Sequence, residues 1–243
     1  MARIGVLDSG IGGMVMLEAL KKRYPRQDFI FLADQKNSPY GSKTGKELTD
    51  IVNRNLLWLK KKGADSILMA CNTISALDPK LIDQSLPIQR VIEPTCRQLL
   101  HSNAKCVIVC ATPFTCASKS YEHILHQLCP QLHVISVPLD YLCRDLEDMV
   151  DKDVILTKFQ RDLSRYSTQA DALILGCTHY PLAKELFQSV MDVPVYDSNG
   201  IVLENCTESK GEVVYYTTDN PEYFDEQCER LFQIKIHSLK AEI

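Results

Sequence analysis

Short apolar runs alternate along this chain with longer stretches in which apolar residues recur at helical spacing. The runs at 4–7, 29–32, 66–70, 91–92, 106–110, 133–137, 172–175 and 195–196 are rich in Val, Ile, Leu and Phe and too short for helices. They read as buried strands. The stretches 14–23, 45–62, 118–128, 139–149 and 181–191 place polar residues on one face and read as amphipathic helices. Strands and helices in alternation predict an α/β fold with mainly parallel sheets flanked by helices.

One piece of this pattern occurs twice. ADSILMACNT at 64–73 aligns without gaps on ADALILGCTH at 170–179, at a constant offset of 106 residues. Each opens Ala-Asp, continues through a strand-like run and a small residue, and ends in cysteine and two polar groups. A fainter echo pairs IGVLDS at 4–9 with VIVCAT at 107–112. Ten mostly apolar residues can match by chance, but the shared Ala-Asp openings and polar tails favour duplication. Two similar α/β domains that face each other across a cleft are the expectation, with their junction near 93–96.

Composition narrows the setting. At 243 residues the chain allows one large domain or two smaller ones, so length does not oppose the duplication. A net charge of −4 without a long run of one sign lacks the basic footprint of a nucleic-acid binder. The cluster Lys60-Lys61-Lys62 before Gly63 reads as a solvated helix end with a glycine cap. No apolar run approaches the roughly 18 residues of a spanning helix. The start MARIGVLDSG has no apolar signal core. A cytoplasmic protein without membrane contact is expected. Ten cysteines without a CxxC pair disfavour a zinc ribbon or a thioredoxin-like site, and a reducing compartment disfavours disulfides. Most of these cysteines read as small buried hydrophobes.

Polar residues collect where the strands end, which is where open α/β sheets bind ligands. Strand ends and their loops supply Asp8, Ser9, Tyr40, Gly41, Cys71, Asn72, Thr73, Glu93, Thr112, Thr115, Cys177, Thr178 and His179. Taken singly, each has a bland explanation. Asp8, Ser9, Asn72, Thr73 and Thr178 suit helix caps, Tyr40-Gly41 suits a turn, and a cysteine suits a core. The run Gly10-Ile11-Gly12-Gly13 has Val15 where a dinucleotide fingerprint needs its third glycine. His123 and His126 read as one solvated helix face.

Taken together, two cysteines hold equivalent positions in two similar domains. A base on either side of one cleft suits removal of a proton from one face of a carbon and delivery to the other. Such cysteines must reach the thiolate, and both precede expected helix starts whose dipoles favour it. Asp8, Glu93 and His179 suit proton shuttling. No arginine occurs in these motifs, so backbone N–H groups and hydroxyls would hold a substrate carboxylate. A rival reading uses Cys71, Cys177 and His179 as a Cys₂His zinc set. A second keeps the scaffold as an amino-acid-binding protein without turnover.

Five motifs in order, IGVLDSGIGG, SPYGSKT, ACNTISA, VIEP and GCTHYPL, together with the closing YYTTDNPEYFDEQCERL, resemble bacterial glutamate racemases of the cofactor-independent aspartate/glutamate racemase superfamily. The resemblance spans essentially the whole chain. It implies two α/β domains, 1–95 with the returning segment 210–243, and 96–209. It implies Cys71 and Cys177 as the two acid/bases, Cys71 serving D-glutamate and Cys177 the L-enantiomer, and Glu93 as an assisting carboxylate. Asp8, Ser9, Tyr40, Gly41, Asn72, Thr73, Thr178 and His179 match substrate-contacting positions, with Thr112 and Thr115 beside them. The implied partner is glutamate, with no cofactor and no metal, and the implied product is D-glutamate for peptidoglycan. Aspartate or hydantoin racemisation is the alternative, and a homodimer is admitted. Phe114, where glycine is usual, and Asp197-Ser198-Asn199-Gly200 depart from the family pattern at the pocket edge.

Overall fold

Ten strands and their flanking helices follow one another in the order an α/β chain requires: β1 (Arg3–Asp8), β2 (Asp28–Ala33), β3 (Ser66–Met69), β4 (Ile88–Arg90), β5 (Cys106–Ala111), β6 (His133–Pro138), β7 (Ala172–Gly176), β8 (Val195–Asp197), β9 (Val213–Thr217) and β10 (Ser238–Lys240). The structure is a computed structural model and describes residues 2–243. Its internal contacts divide the chain into two units, Met1–Val91 with Val202–Ile243, and Ile92–Ile201. Glu93, at the expected junction, therefore falls in the second unit.

The first unit is built on one sheet of order β10-β9-β2-β1-β3-β4. Every pairing in it is parallel. Strands β2 and β3 are buried at every residue, and β1 at all but Arg3. Unbroken burial is what a parallel strand covered by helices on both faces requires, and it explains why these runs are continuously apolar. The helix Gly45–Lys61 starts on a capping box between Thr44 and Glu47. It stops before Gly63, whose φ of +90° is the left-handed conformation that ends a helix at low cost.

The returning segment is locked to β2 by one carboxylate. Asp28 accepts the Ser209 hydroxyl at 2.6 Å and the backbone N–H groups of Lys210 at 3.2 Å and Glu212 at 2.9 Å. The Ser209 hydrogen bond, foremost among these, holds the Asp28 carboxyl below its usual range. A depressed folded pKa means that this contribution is present above the unfolded value and is lost as pH falls through the folded one. Asp28→Ala strips the partner from backbone donors and should destabilise the protein by on the order of 2 kcal/mol near neutral pH. Urea midpoints of the two proteins should differ most near neutrality and converge toward acid.

The second unit carries a sheet of order β6-β5-β7-β8, again parallel throughout. Its core includes Ile108, Cys110, Leu173, Leu175, Tyr180 and Phe187. The Phe159 and Phe187 rings lie 4.2 Å apart between centroids. The duplicated sequence has a structural counterpart. In the first sheet Leu7 of β1 is level with Met69 of β3. In the second, Cys110 of β5 is level with Leu175 of β7, the positions equivalent by the sequence match. Both sheets thus hold the same register, and each sets a cysteine two residues past it.

The α/β class with parallel sheets flanked by helices is as expected, and several elements differ in detail. The run at 91–92 is not a strand. The strand ends at Arg90, and Ile92 opens the helix Ile92–Arg97. Pro94 lies in its first turn, where a missing N–H costs no helical bond. The stretch 118–128 breaks at Lys119, whose φ is 54°, between the helices Pro113–Ser118 and Ser120–Leu128. The stretch 181–191 begins as the 3₁₀ turn Tyr180–Ala183, and the α-helix starts only at Lys184. Among the described residues no helix is long and apolar enough to cross a membrane. None of the cysteines is in a disulfide.

Candidate active site

In the first unit the parallel register carries Asp8-Ser9 and Ala70-Cys71 out of the sheet side by side. The Ala70 N–H donates to the Leu7 carbonyl at 2.9 Å and fixes that alignment beyond the last ladder pair. Cys71 is nearly buried, and its thiol donates to Ser9 Oγ at 3.7 Å. The chain turns there because Cys71 is extended (φ −67°, ψ 125°) at the head of the single helical turn Asn72–Ser75. Its carbonyl accepts the Ser75 N–H at 3.1 Å. Asn72 and Thr73 are buried beside it. The Ser75 hydroxyl donates to the Met69 carbonyl at 2.9 Å, and Asp78 caps the turn Pro79–Leu81.

Asp8 is fully buried and accepts the Gly10 N–H at 3.0 Å. Gly13 makes room for it. A Cβ there would lie 2.4 Å from Asp8 Cβ and 2.8 Å from Asp8 Cγ. Gly13→Ala should therefore push the Asp8 carboxylate out of place. A displacement of that size near reacting atoms costs about 10²-fold in turnover. Kinetics of a variant whose circular dichroism matches the parent would check this.

Tyr40 is buried, and its hydroxyl donates to Asp34 Oδ2 at 2.5 Å. Asp34 also accepts Asn55 Nδ2 at 2.9 Å and the Thr218 hydroxyl at 2.7 Å. Burial, and then the Asp34 charge, hold the Tyr40 phenol well above its ordinary pKa. Its proton is thus committed to Asp34, and the ring braces the loop that carries Gly41. Thr218 comes from the returning segment, so that segment helps fix this loop.

In the second unit Thr112 and Cys177 follow the level pair Ala111 and Gly176. Thr112 caps the helix Pro113–Ser118 by accepting the Thr115 N–H, and the two hydroxyls lie 3.0 Å apart. Phe114, half-buried in this first turn, leaves that cap intact. Asp197 caps the turn Ser198–Gly200 through the Asn199 N–H at 2.9 Å, so the second departure is a defined turn.

Cys177, Thr178 and His179 are all buried. Cys177 Sγ lies 3.8 Å from His179 Nδ1 and 3.4 Å from the sulfur of Cys143. His179 Nε2 lies 2.7 Å from Glu147 Oε1. Tyr180 anchors the turn by donating to the Leu139 carbonyl at 2.8 Å. Cys143 and Glu147 are four residues apart on the helix Leu142–Glu147, the spacing that puts two side chains on one face.

These contacts reverse one electrostatic expectation. No α-helix starts at Pro181 to lower the thiol. The hydrogen bond with Cys143, and then burial, hold the Cys177 thiol well above its ordinary pKa, against a lowering by His179. For His179, burial pulls downward, but hydrogen bonds and charges of Cys177 and Glu147 outweigh it and raise the pKa to about 10. While Cys177 keeps its proton, Glu147 alone holds the His179 imidazolium, and the charge of Cys177 adds to that hold only once the thiol has ionised. Cys177 can then donate a proton, and the thiolate left behind has a counter-charge within 4 Å.

Glu93 does not join this group. Its carboxylate is exposed and pairs with Arg97 at 2.6 Å, one turn along its own helix. The carboxylate that reaches His179 is Glu147. Neither Glu147 nor Cys143 stood out in the sequence. The only signal was their spacing within a stretch read as helical.

The chain matches, over residues 15–206, the family described as Asp/Glu/Hydantoin racemase. A glutamate racemase from Aquifex aeolicus is 31% identical over 96% of this chain and 93% of its own length. A glutamate racemase isoform from Bacillus anthracis superposes with a TM-score of 0.89 at 26% identity, over 100% of this chain and 98% of that one. A glutamate racemase from Francisella tularensis, solved in complex with D-glutamate, gives a TM-score of 0.87 at 28% identity over 100% and 97% of the two chains.

Proposed function

We propose a substrate and a chemistry for this chain from the premise that it belongs to the Asp/Glu/hydantoin racemase family. It interconverts L- and D-glutamate by a two-thiol reaction that needs no cofactor. With D-glutamate, the Cys71 thiolate takes the Cα proton, and the electron pair of that C–H bond stays on carbon. The Cys177 thiol then gives its proton to the opposite face, which leaves L-glutamate, a Cys71 thiol and a Cys177 thiolate. The reverse direction uses the same groups in exchanged roles. Asp8 and His179 are the proton partners of Cys71 and Cys177. Ser9, Gly41, Asn72, Thr73, Thr112, Thr115 and Thr178 supply the polar groups and backbone N–H donors for the substrate. Tyr40 positions its loop. Glu147 orients His179 in the place expected of Glu93.

The observation that carries this reading is the matched register of the two sheets. It sets one cysteine at the carboxyl end of β3 and another at the equivalent end of β7. Core packing explains a buried cysteine but not that equivalence. Relatives named as glutamate racemases select glutamate over the aspartate and hydantoin alternatives.

Either pure enantiomer, incubated with the protein alone, should lose its circular dichroism signal to zero. Glutamate left unchanged while aspartate or a hydantoin is racemised would assign the alternative. The enzyme is assigned with this function to the cytoplasm, with D-glutamate bound for peptidoglycan. A homodimer is proposed with it, and light scattering that gives the mass of one chain would remove that part.

A further inference from the structure

Cys143, Cys177 and His179 converge in a way that proton transfer alone does not require. Their sulfur and nitrogen atoms all lie within 4.8 Å of one another. Thiolate and imidazole ligands of tetrahedral zinc stand about 2.3 and 2.0–2.1 Å from the ion, so its ligand atoms are about 3.8 Å (S to S) and about 3.5 Å (S to N) apart. The observed separations are 3.4 Å between the sulfurs and 3.8 Å from Cys177 Sγ to His179 Nδ1. Those two separations need shifts of only a few tenths of an ångström, and the third, from Cys143 to His179, lies within 4.8 Å and closes by up to about 1.3 Å.

The surroundings also suit a metal. His179 turns Nδ1 toward the Cys177 sulfur while Nε2 is held by Glu147 at 2.7 Å. A carboxylate on the far nitrogen of a ligating histidine is the usual orienting arrangement. Two sulfurs and one imidazole form the soft and borderline donor set that selects zinc-like ions over magnesium or calcium. Cys143 is partly exposed, which gives an ion a way in. Three protein ligands leave a fourth position for water.

We propose that Cys143, Cys177 and His179 form a binding site for a zinc-like divalent cation whose occupation withholds Cys177 from proton transfer. Binding displaces one proton from each thiol and the Nδ1 proton of the imidazolium to solvent, three in all, and forms two metal–sulfur bonds and one metal–nitrogen bond. The chain would then be silenced reversibly by zinc through Cys143, a cysteine that transfers no proton in the reaction itself. The effect on turnover rests on the racemase reading above; the site does not.

The test uses the full chain under a phosphine reductant, with cobalt(II) as a spectroscopic probe and zinc(II) as inhibitor. One cobalt per chain should bring sulfur-to-metal charge transfer in the near ultraviolet and intense tetrahedral bands in the visible. Zinc should abolish these bands and inhibit racemisation, with activity restored by chelator. Glu147→Gln should weaken cobalt binding by about 10- to 100-fold. Cys143→Ala and Cys143→Ser should weaken it further and raise the inhibitory zinc concentration, each variant being scored against its own metal-free rate. Absence of a thiolate band in the unmodified chain would overturn the site, as would equal zinc sensitivity in the Cys143 variants. Inactivation that appears only without reductant, and is reversed by reductant but not chelator, would assign the sulfur pair to a disulfide and overturn it too. Cobalt bands in a protein that racemises nothing would leave the site standing and remove the racemase reading.

Discussion

Cys71→Ala and Cys177→Ala should each abolish interconversion of the glutamate enantiomers, a fall at or beyond the 10²- to 10⁴-fold expected for loss of a general acid or base. Each variant should nonetheless keep half of the chemistry. An analogue with chloride at Cβ needs only one base, because removal of the Cα proton drives cleavage of the C–Cl bond and release of chloride. Cys177→Ala should still eliminate chloride from the D-analogue through Cys71, and Cys71→Ala from the L-analogue through Cys177. Residual elimination of the matching enantiomer separates loss of one base from loss of the fold. Racemisation that survives in either variant would contradict the assignment.

The second large effect is expected at His179. His179→Asn removes the charge that faces the Cys177 thiolate at 3.8 Å, and with it the raised pKa that keeps an imidazolium there. Turnover should fall by about 10²-fold or more. Because the enantiomers are equal in free energy, kcat/KM must fall by the same factor in both directions. Glu147→Gln should fall less, since an amide oxygen can still accept from Nε2 but carries no charge. Both effects should appear in kcat, with KM for glutamate little changed, as for interactions made with the reacting groups rather than with bound substrate. A drop confined to KM would make His179 a substrate holder only.

Continuous burial made the central strands legible. β1, β2, β3, β5 and β7 are covered on both faces, so their apolar runs stand out in sequence. β10 is three residues long and carries no such run, whereas β9 reads Val213-Val214-Tyr215-Tyr216-Thr217, a strand-like run that is only half-buried over most of its length. The duplicated strand was legible because the same register imposes the same pattern twice. The turns that leave the strands were harder to read. Pro181 suits the first turn of an α-helix and of a 3₁₀ helix alike, and the Tyr180 hydroxyl donates to the Leu139 carbonyl, a partner far along the chain. The fate of the Tyr40 hydroxyl depends on Asp34, which lies outside any motif. Glu93 carried a family motif yet faces solvent, whereas Glu147, outside any motif, meets His179 at 2.7 Å. Partners supplied by distant elements leave no local pattern.

The two-base claim is tested most directly by the first turnovers in heavy water. One pure enantiomer is mixed with the protein, and the Cα positions of substrate and product are read by NMR before equilibrium. With two bases, the newly formed enantiomer carries deuterium at Cα while the remaining substrate keeps its protium, because the donated proton comes from a thiol already exchanged with solvent. Product that retains the substrate's own protium would show a single base serving both faces and would contradict the two-thiol mechanism.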